Sequence, residues 1–214
     1  MRKTLGVLGG NDVLPGQIRA WLQSADFVIA ADQGAELIPP DIRVPDVLIG
    51  DLDSVSEVAA ARAKQVIQIA CQETTDTEKL LTYCLDEGLT PVTLIGFEGD
   101  LLDHVIANVY CLARYDLDLR VALRAGIMWF VSPRFARTIN VAPGARVSLL
   151  PIKSCSGVEL SGVEWPILGG DLSPGGLHSI SNRAASKVVQ ASVRVGAALL
   201  FIELAQGEMP RWDG

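Results

Sequence analysis

Pro45-Asp46-Val47-Leu48-Ile49-Gly50-Asp51-Leu52-Asp53-Ser54 is an apolar run that stops on a glycine and hands over to two aspartates. Val47 to Ile49 has the length and the β-branched, aliphatic content of a buried strand. In extended backbone, residues two apart point to the same side, so Asp51 and Asp53 can both reach one metal ion. Gly50 lets the chain turn or approach a ligand closely, and Ser54 can cap the segment after it.

The same grammar recurs on either side. Leu5 to Leu8, Phe27 to Ala31, Val66 to Ile69 and Val92 to Ile95 are short apolar runs bounded by Gly, Pro or Asp, and they read as further buried strands. Helical patterns lie between them: Pro15 to Gln23, Ser56 to Lys64, Asp76 to Glu87 and Asp103 to Tyr115. Strand–helix alternation predicts an α/β class and a mostly parallel α/β/α sheet of Rossmann-like layout, over residues 1–125. From about Ala125 helical periodicity fades. Trp129 to Val131, Val147 to Leu150, Val158 to Leu160, Lys187 to Val195 and Ala198 to Leu204 are short apolar runs separated by Gly, Pro and Ser. They predict an antiparallel β-sandwich over residues 126–214. No linker marks the boundary, and there is no internal repeat.

In a parallel sheet the loops after the strand C-termini build the ligand site. Asp32 follows the second run, Asp51 and Asp53 the third, Asp76 the fourth and Asp103 the fifth. Four successive strand ends therefore bring carboxylates to one edge. Converging carboxylates repel unless a cation joins them, and Mg²⁺, a hard ion that bridges carboxylates to phosphates, is the expected partner. Each aspartate taken alone is also an ordinary turn or cap residue, and Asp76 has the look of a helix start. Gly9-Gly10, Gly34 and the Gly96 to Gly99 loop could cradle phosphate through backbone N–H groups, but they equally suit plain turns. No Walker A pattern is present. His104 and His178 are more ordinary as packing or helix-start residues than as bases. Trp165 could stack on an aromatic ring or pack in the core.

The bulk numbers narrow the classes. With 214 residues and 49% hydrophobic content the chain can bury a sizeable core. A net charge of -7 disfavours nucleic acid and anionic membranes as partners, and a polyphosphate would be handled through metal ions more than through a basic patch. Cys71, Cys84, Cys111 and Cys155 are too widely spaced for a disulfide framework or a zinc site, so free, largely buried thiols in a reducing cytoplasm are expected. The N-terminus opens like a signal peptide, but its apolar run is short and ends at Asn11-Asp12. No apolar stretch is long enough for a membrane-spanning helix.

Taken together, several motifs resemble the thiamin pyrophosphokinase family. They are Ala31-Asp32-Gln33-Gly34-Ala35, Pro45 through Ser54, Thr75-Asp76-Thr77-Glu78-Lys79, Gly96 through Asp103-His104, Glu164-Trp165-Pro166 and Ser179-Ile180-Ser181-Asn182. They stand in the family's order along nearly the whole chain. The resemblance implies an α/β catalytic domain that binds ATP and Mg²⁺, then a β-sandwich domain for thiamin binding and dimerisation. The implied reaction moves pyrophosphate from ATP to the hydroxyl of thiamin and releases AMP. It also implies a homodimer with active sites at the interface. Asp32, Asp51, Asp53 and Asp76 would lie at the Mg²⁺–ATP site, with Asp103 close by. Gly34, Lys79, Gly96, Gly99 and His104 would line the nucleotide. Ser179, Ser181, Asn182 and Trp165 would face thiamin. One departure stands out: where the family has Gly-Gly-Arg-x-Asp-His, this chain reads Gly99-Asp100-Leu101-Leu102-Asp103-His104. Leu101 replaces a guanidinium that would stabilise phosphate charge. The competing readings are a pyrophosphokinase for another alcohol such as a hydroxymethylpterin, a non-catalytic thiamin-binding relative, and a Mg²⁺-dependent phosphohydrolase.

Overall fold

The computed structural model describes residues 2–11, 13–99, 101–204 and Trp212. The chain divides into two compact units, Met1–Arg124 and Ala125–Gly214.

The first unit is built on β1 (Thr4–Val7), β2 (Phe27–Ala31), β3 (Val47–Gly50), β4 (Gln65–Gln68), β5 (Val92–Ile95) and β6 (Leu119–Leu123). They lie in the order β6-β5-β1-β2-β3-β4, and each neighbouring pair is parallel. β1, β3 and β5 are buried at every residue, which is why they read as continuous apolar runs. β4 departs from expectation. Its apolar run suggests a buried strand, yet Gln65, Val66 and Gln68 are exposed because β4 is the sheet's last strand. Sequence patterning does not announce β6, because the inward Arg120 interrupts its apolar run.

Chain order and sheet order part company at β1, whose neighbours are β2 on one side and β5 on the other. Such a switch point opens a crevice outside the carboxyl ends of the strands. The helices are α1 (Pro15–Ser24), α2 (Glu57–Ala60), α3 (Asp76–Asp86) and α4 (Leu102–Leu112). Pro15 opens α1 with the φ a helix needs. α2 is much shorter than the expected Ser56 to Lys64, because only Ala59 in that stretch reaches the core and nothing tertiary holds more turns. α3 packs on β2 and β3 and opens with a capping box between Thr75 and Glu78. A 3₁₀ turn over Asp32–Leu37, which no sequence signal marks, carries the chain off β2.

The second unit holds β7 (Gly126–Val131), β8 (Arg137–Asn140), β9 (Arg146–Pro151), β10 (Cys155–Ser161), β11 (Ile167–Leu172), β12 (Ser179–Arg183), β13 (Val188–Ser192) and β14 (Ala198–Glu203). Within this unit they form the antiparallel orders β12-β9-β14-β7 and β11-β10-β13-β8. Leu149, Val158, Leu160, Val189 and Leu200 are fully buried there. β8, β11 and β12 escape a reading of the sequence because polar residues and glycines dilute their alternation. No described helix is long and apolar enough to cross a membrane. The cysteines are free thiols, buried at Cys84, Cys111 and Cys155 and exposed at Cys71.

Gly96 follows β5 with φ +78°, and a Cβ there would sit 2.3 Å from the Leu8 carbonyl oxygen. Because the obstacle is backbone, Gly96→Ala is expected to destabilise the fold by roughly 2 kcal/mol. Denaturant unfolding that leaves the midpoint unchanged would refute this account of the β1–β5 junction.

Candidate active site

The site grows from the ends of β2 and β3. Asp32 begins the 3₁₀ turn in left-handed backbone, φ 40°, and is 3% exposed. Gly50 lies opposite it, and a Cβ on Gly50 would fall 2.8 Å from the Asp32 Cβ. The glycine in the decisive run therefore lets the two strand ends come together. The strand stops at Gly50 and Leu52 takes φ 67°, so Asp51 and Asp53 do not lie two apart on extended backbone as expected; a left-handed bend separates them. As a result Asp32, Asp51 and Asp53 each offer a carboxylate oxygen, all within 4.8 Å of one another.

Asp76 and Lys79 arrive on the first turn of α3. The buried Lys79 Nζ donates to Asp76 Oδ1 at 2.9 Å and lies 3.8 Å from Asp51 Oδ2. Burial pushes the Lys79 ammonium down, but the Asp76 hydrogen bond and the charges of Asp76, Asp51 and Asp32 outweigh it and leave the pKa raised. Asp51 is held below the usual carboxylate range, first by the Gln72 side chain, which donates to Oδ2 at 2.7 Å, and then by Lys79. Asp32 is pushed up by burial and by the charges of Asp76, Asp51 and Asp53, with a backbone N–H from Ser54 acting the other way. Its Oδ1 is buried and makes no hydrogen bond. Asp53 is exposed and accepts from the Ser54 hydroxyl at 2.8 Å.

Beside these groups lies a cleft of about 420 Å³. Its walls include Gly9 and Gly10 after β1, Asp32, Asp51, Asp76, Lys79, Gly96 and His104. These are all residues of the first unit, and they flank the β1–β5 switch point.

Other expected residues stand elsewhere. Asp103 is exposed on the first turn of α4 and is not among the cleft-lining residues. Gly34, expected as a nucleotide contact, also lies outside the lining; a Cβ there would meet the Val7 carbonyl oxygen at 2.1 Å, so it serves the packing of the 3₁₀ turn on β1. Gly99 is likewise outside the lining, and its carbonyl accepts from Asn11 N–H at 3.2 Å. Gly10 N–H already donates to the Gly96 carbonyl at 2.9 Å, which removes it from any phosphate cradle. Leu101 is exposed at the start of α4, while Asp100 and Asp12 lie outside the described residues. Gln72 is the partner of Asp51 that sequence reasoning misses, because a loop glutamine carries no distinctive pattern.

In the second unit Asn182 is 1% exposed. Its amide donates to the Trp165 carbonyl at 2.7 Å and to the Ser179 hydroxyl at 3.2 Å, and its oxygen accepts from the N–H groups of Trp165 and Arg183. Asn182 thus acts as a clamp rather than as an open contact. It fixes the backbone of Trp165, whose side chain is 63% exposed rather than packed in a core. Ser181 takes φ 57°, and its N–H donates to the Ser148 hydroxyl at 3.1 Å.

Comparison with known proteins is consistent across the chain. The family model described as thiamin pyrophosphokinase, catalytic domain, matches residues 18–123. The model described as thiamin pyrophosphokinase, vitamin B1 binding domain, matches residues 137–199. Among solved structures, the chain is similar to thiamine pyrophosphokinase from Bacillus subtilis, at 19% identity and TM-score 0.78 over 94% of this chain and 99% of that one. It is similar to thiamin pyrophosphokinase from Geobacillus thermodenitrificans, at 22% identity and TM-score 0.78 over 95% of this chain and 99% of that one. The yeast enzyme gives 18% identity and TM-score 0.72 over 95% of this chain and 86% of that one. At these identities the structural likeness speaks for the fold. No curated protein sequence matches.

The buried carboxyl of Asp32 makes a pH prediction. Folding favours its protonated form, so that contribution is fully present below the ordinary aspartate range and is lost as pH rises through the raised value. Asparagine tolerates left-handed backbone and carries no charge. Asp32→Asn without divalent metal is therefore expected to be about 1 kcal/mol more stable than the parent near neutral pH. The difference should shrink in acid. Thermal unfolding across pH that shows a constant gap would contradict this.

Proposed function

Because this chain belongs to the thiamin pyrophosphokinase family, we propose that it transfers a pyrophosphoryl group from ATP to the hydroxyl of thiamin. The products are thiamin diphosphate and AMP. The observation that carries the reading is the meeting of Asp32, Asp51 and Asp53 within 4.8 Å beside a cleft at the switch point of a parallel sheet.

Hard oxygen donors and a buried carboxylate oxygen without a hydrogen bond fit a divalent cation such as Mg²⁺. Asp32, Asp51 and Asp53 would hold it, with Asp76 adjoining. When bound, such an ion neutralises polyphosphate oxygens and stabilises the charge that develops on transfer. Lys79 sets the orientation of Asp51 and Asp76 and supplies the cation of the cleft wall among the described residues.

In the reaction the thiamin hydroxyl oxygen bonds to the β-phosphorus. The bond from that phosphorus to the α–β bridging oxygen breaks, and AMP leaves with the electron pair. Asp76 lines the cleft and Asp103 does not, which favours Asp76 as acceptor of the hydroxyl proton. Positioning and electrostatics supply most of the acceleration in such transfers. An acidic site also suits the cationic thiazolium. Exposed Trp165, with Asn182 holding its loop, supports an aromatic contact in the second unit. Exposed Leu168, Leu177 and Ile180 on that unit support self-association as a homodimer. Free cysteines support a cytoplasmic setting.

The test is AMP release from ATP and Mg²⁺, with and without thiamin. Thiamin-dependent AMP is expected, and Asp51→Asn should lower kcat by about 100-fold or more. Phosphate release without an acceptor would make the chain a hydrolase. Thiamin binding without AMP would make it a binding protein, and AMP only with a different alcohol would change the acceptor.

A further inference from the structure

Two residues beyond the end of α4 reach back onto the first turn of α3. The Arg114 guanidinium Nη1 donates to Glu78 Oε1. The Tyr115 hydroxyl donates to the Glu78 backbone carbonyl at 3.1 Å and shares a second contact of 3.1 Å with the Thr82 hydroxyl. Glu78 therefore receives this segment through both its side chain and its backbone. The other carboxylate oxygen, Oε2, accepts the Thr75 N–H at 2.9 Å, while Glu78 N–H donates to Thr75 Oγ1 at 3.2 Å. Glu78 is thus the capping-box residue and the anchor for Arg114 at once.

Its neighbours explain why this matters. Asp76 and Lys79 share this turn with Glu78, and Lys79 Nζ must thread between Asp76 and Asp51. A small rotation of the turn would move Nζ off one of its partners. Glu78 is 7% exposed, so its carboxylate would lie uncompensated within the turn without a cation beside it. The Arg114 side chain is 66% exposed, so removing it opens no core cavity.

We propose that Arg114, acting through Glu78, is a positioning residue for Lys79 and Asp76 in the transfer reaction. The proposal rests on the pyrophosphokinase reading of the site. The chemistry of the capping box separates it from a stability effect. Glutamine in place of Glu78 can still accept the Thr75 N–H and complete the box. Its amide end, turned toward Arg114, cannot accept from the guanidinium.

Kinetics of the full chain with ATP, Mg²⁺ and thiamin would compare the parent, Glu78→Gln, Arg114→Ala, Arg114→Lys and the double variant Glu78→Gln/Arg114→Ala. Glu78→Gln should keep a thermal midpoint close to the parent while kcat falls about tenfold, with little change in the KM for thiamin. Arg114→Ala should fall to a similar level, Arg114→Lys should recover part of the loss, and the double variant should be no worse than either single change. A crystal structure of Glu78→Gln should show Lys79 Nζ displaced from Asp51. Parental kcat in a folded Glu78→Gln, additive losses in the double variant, or an unmoved Lys79 would each overturn the proposal. A parent chain that makes no thiamin-dependent AMP would instead overturn the functional reading, and the position of Lys79 would still decide the inference.

Discussion

Carboxylates gathered at one sheet edge repel one another, and the rest of the first unit is arranged around a buried ammonium set among them. Lys79 lies between Asp76 and Asp51, and the surrounding negative charge outweighs the opposing effect of burial. That arrangement holds two of the carboxylates and leaves Asp32, Asp51 and Asp53 facing each other. Asp32 bears the larger share of the repulsion, because it is the most buried and its Oδ1 has no hydrogen bond. Like charge concentrated in this way lowers the stability of the fold unless a cation joins it.

Close backbone approach makes the geometry possible. Gly50 admits the side chain of Asp32, Gly34 admits the Val7 carbonyl, and Gly96 admits the Leu8 carbonyl. Each glycine lets a loop lie against a neighbouring strand end, so the loops after β1, β2, β3 and β5 form one wall. Of the glycines that might have cradled a phosphate, Gly10 spends its N–H on the Gly96 carbonyl. A polar residue performs a comparable task in the second unit, where Asn182 uses its whole amide to hold the Trp165 loop on β12 and leaves the indole exposed.

The sheet-edge aspartates and the capping signal at Thr75 are legible in the sequence because both depend on local spacing. Strand–helix alternation alone puts successive strand ends on one edge, and Thr75 with Glu78 three residues on is a local cap pattern. The buried runs of β2, β3 and β5 announce themselves for the same reason: a strand covered on both faces is apolar nearly throughout, with Thr93 of β5 the exception. The weaker strands do not, since β8 turns Arg137 inward to donate to the Phe130 carbonyl at 2.8 Å, and β12 is largely polar.

The sequence by itself determined the class of each unit and the carboxylate-rich edge, because periodicity and strand-end composition are properties of neighbours along the chain. Tertiary structure alone decided which of those residues meet. It brought Asp32 against Gly50, separated Asp103 from the cleft, placed Gln72 on Asp51, and folded Arg114 back onto Glu78. These pairings join residues far apart in sequence, and their geometry depends on sheet order and on backbone bends at Asp32 and Leu52. Neither leaves a periodic trace in the chain, since a positive φ at a non-glycine residue is imposed by the packing around it.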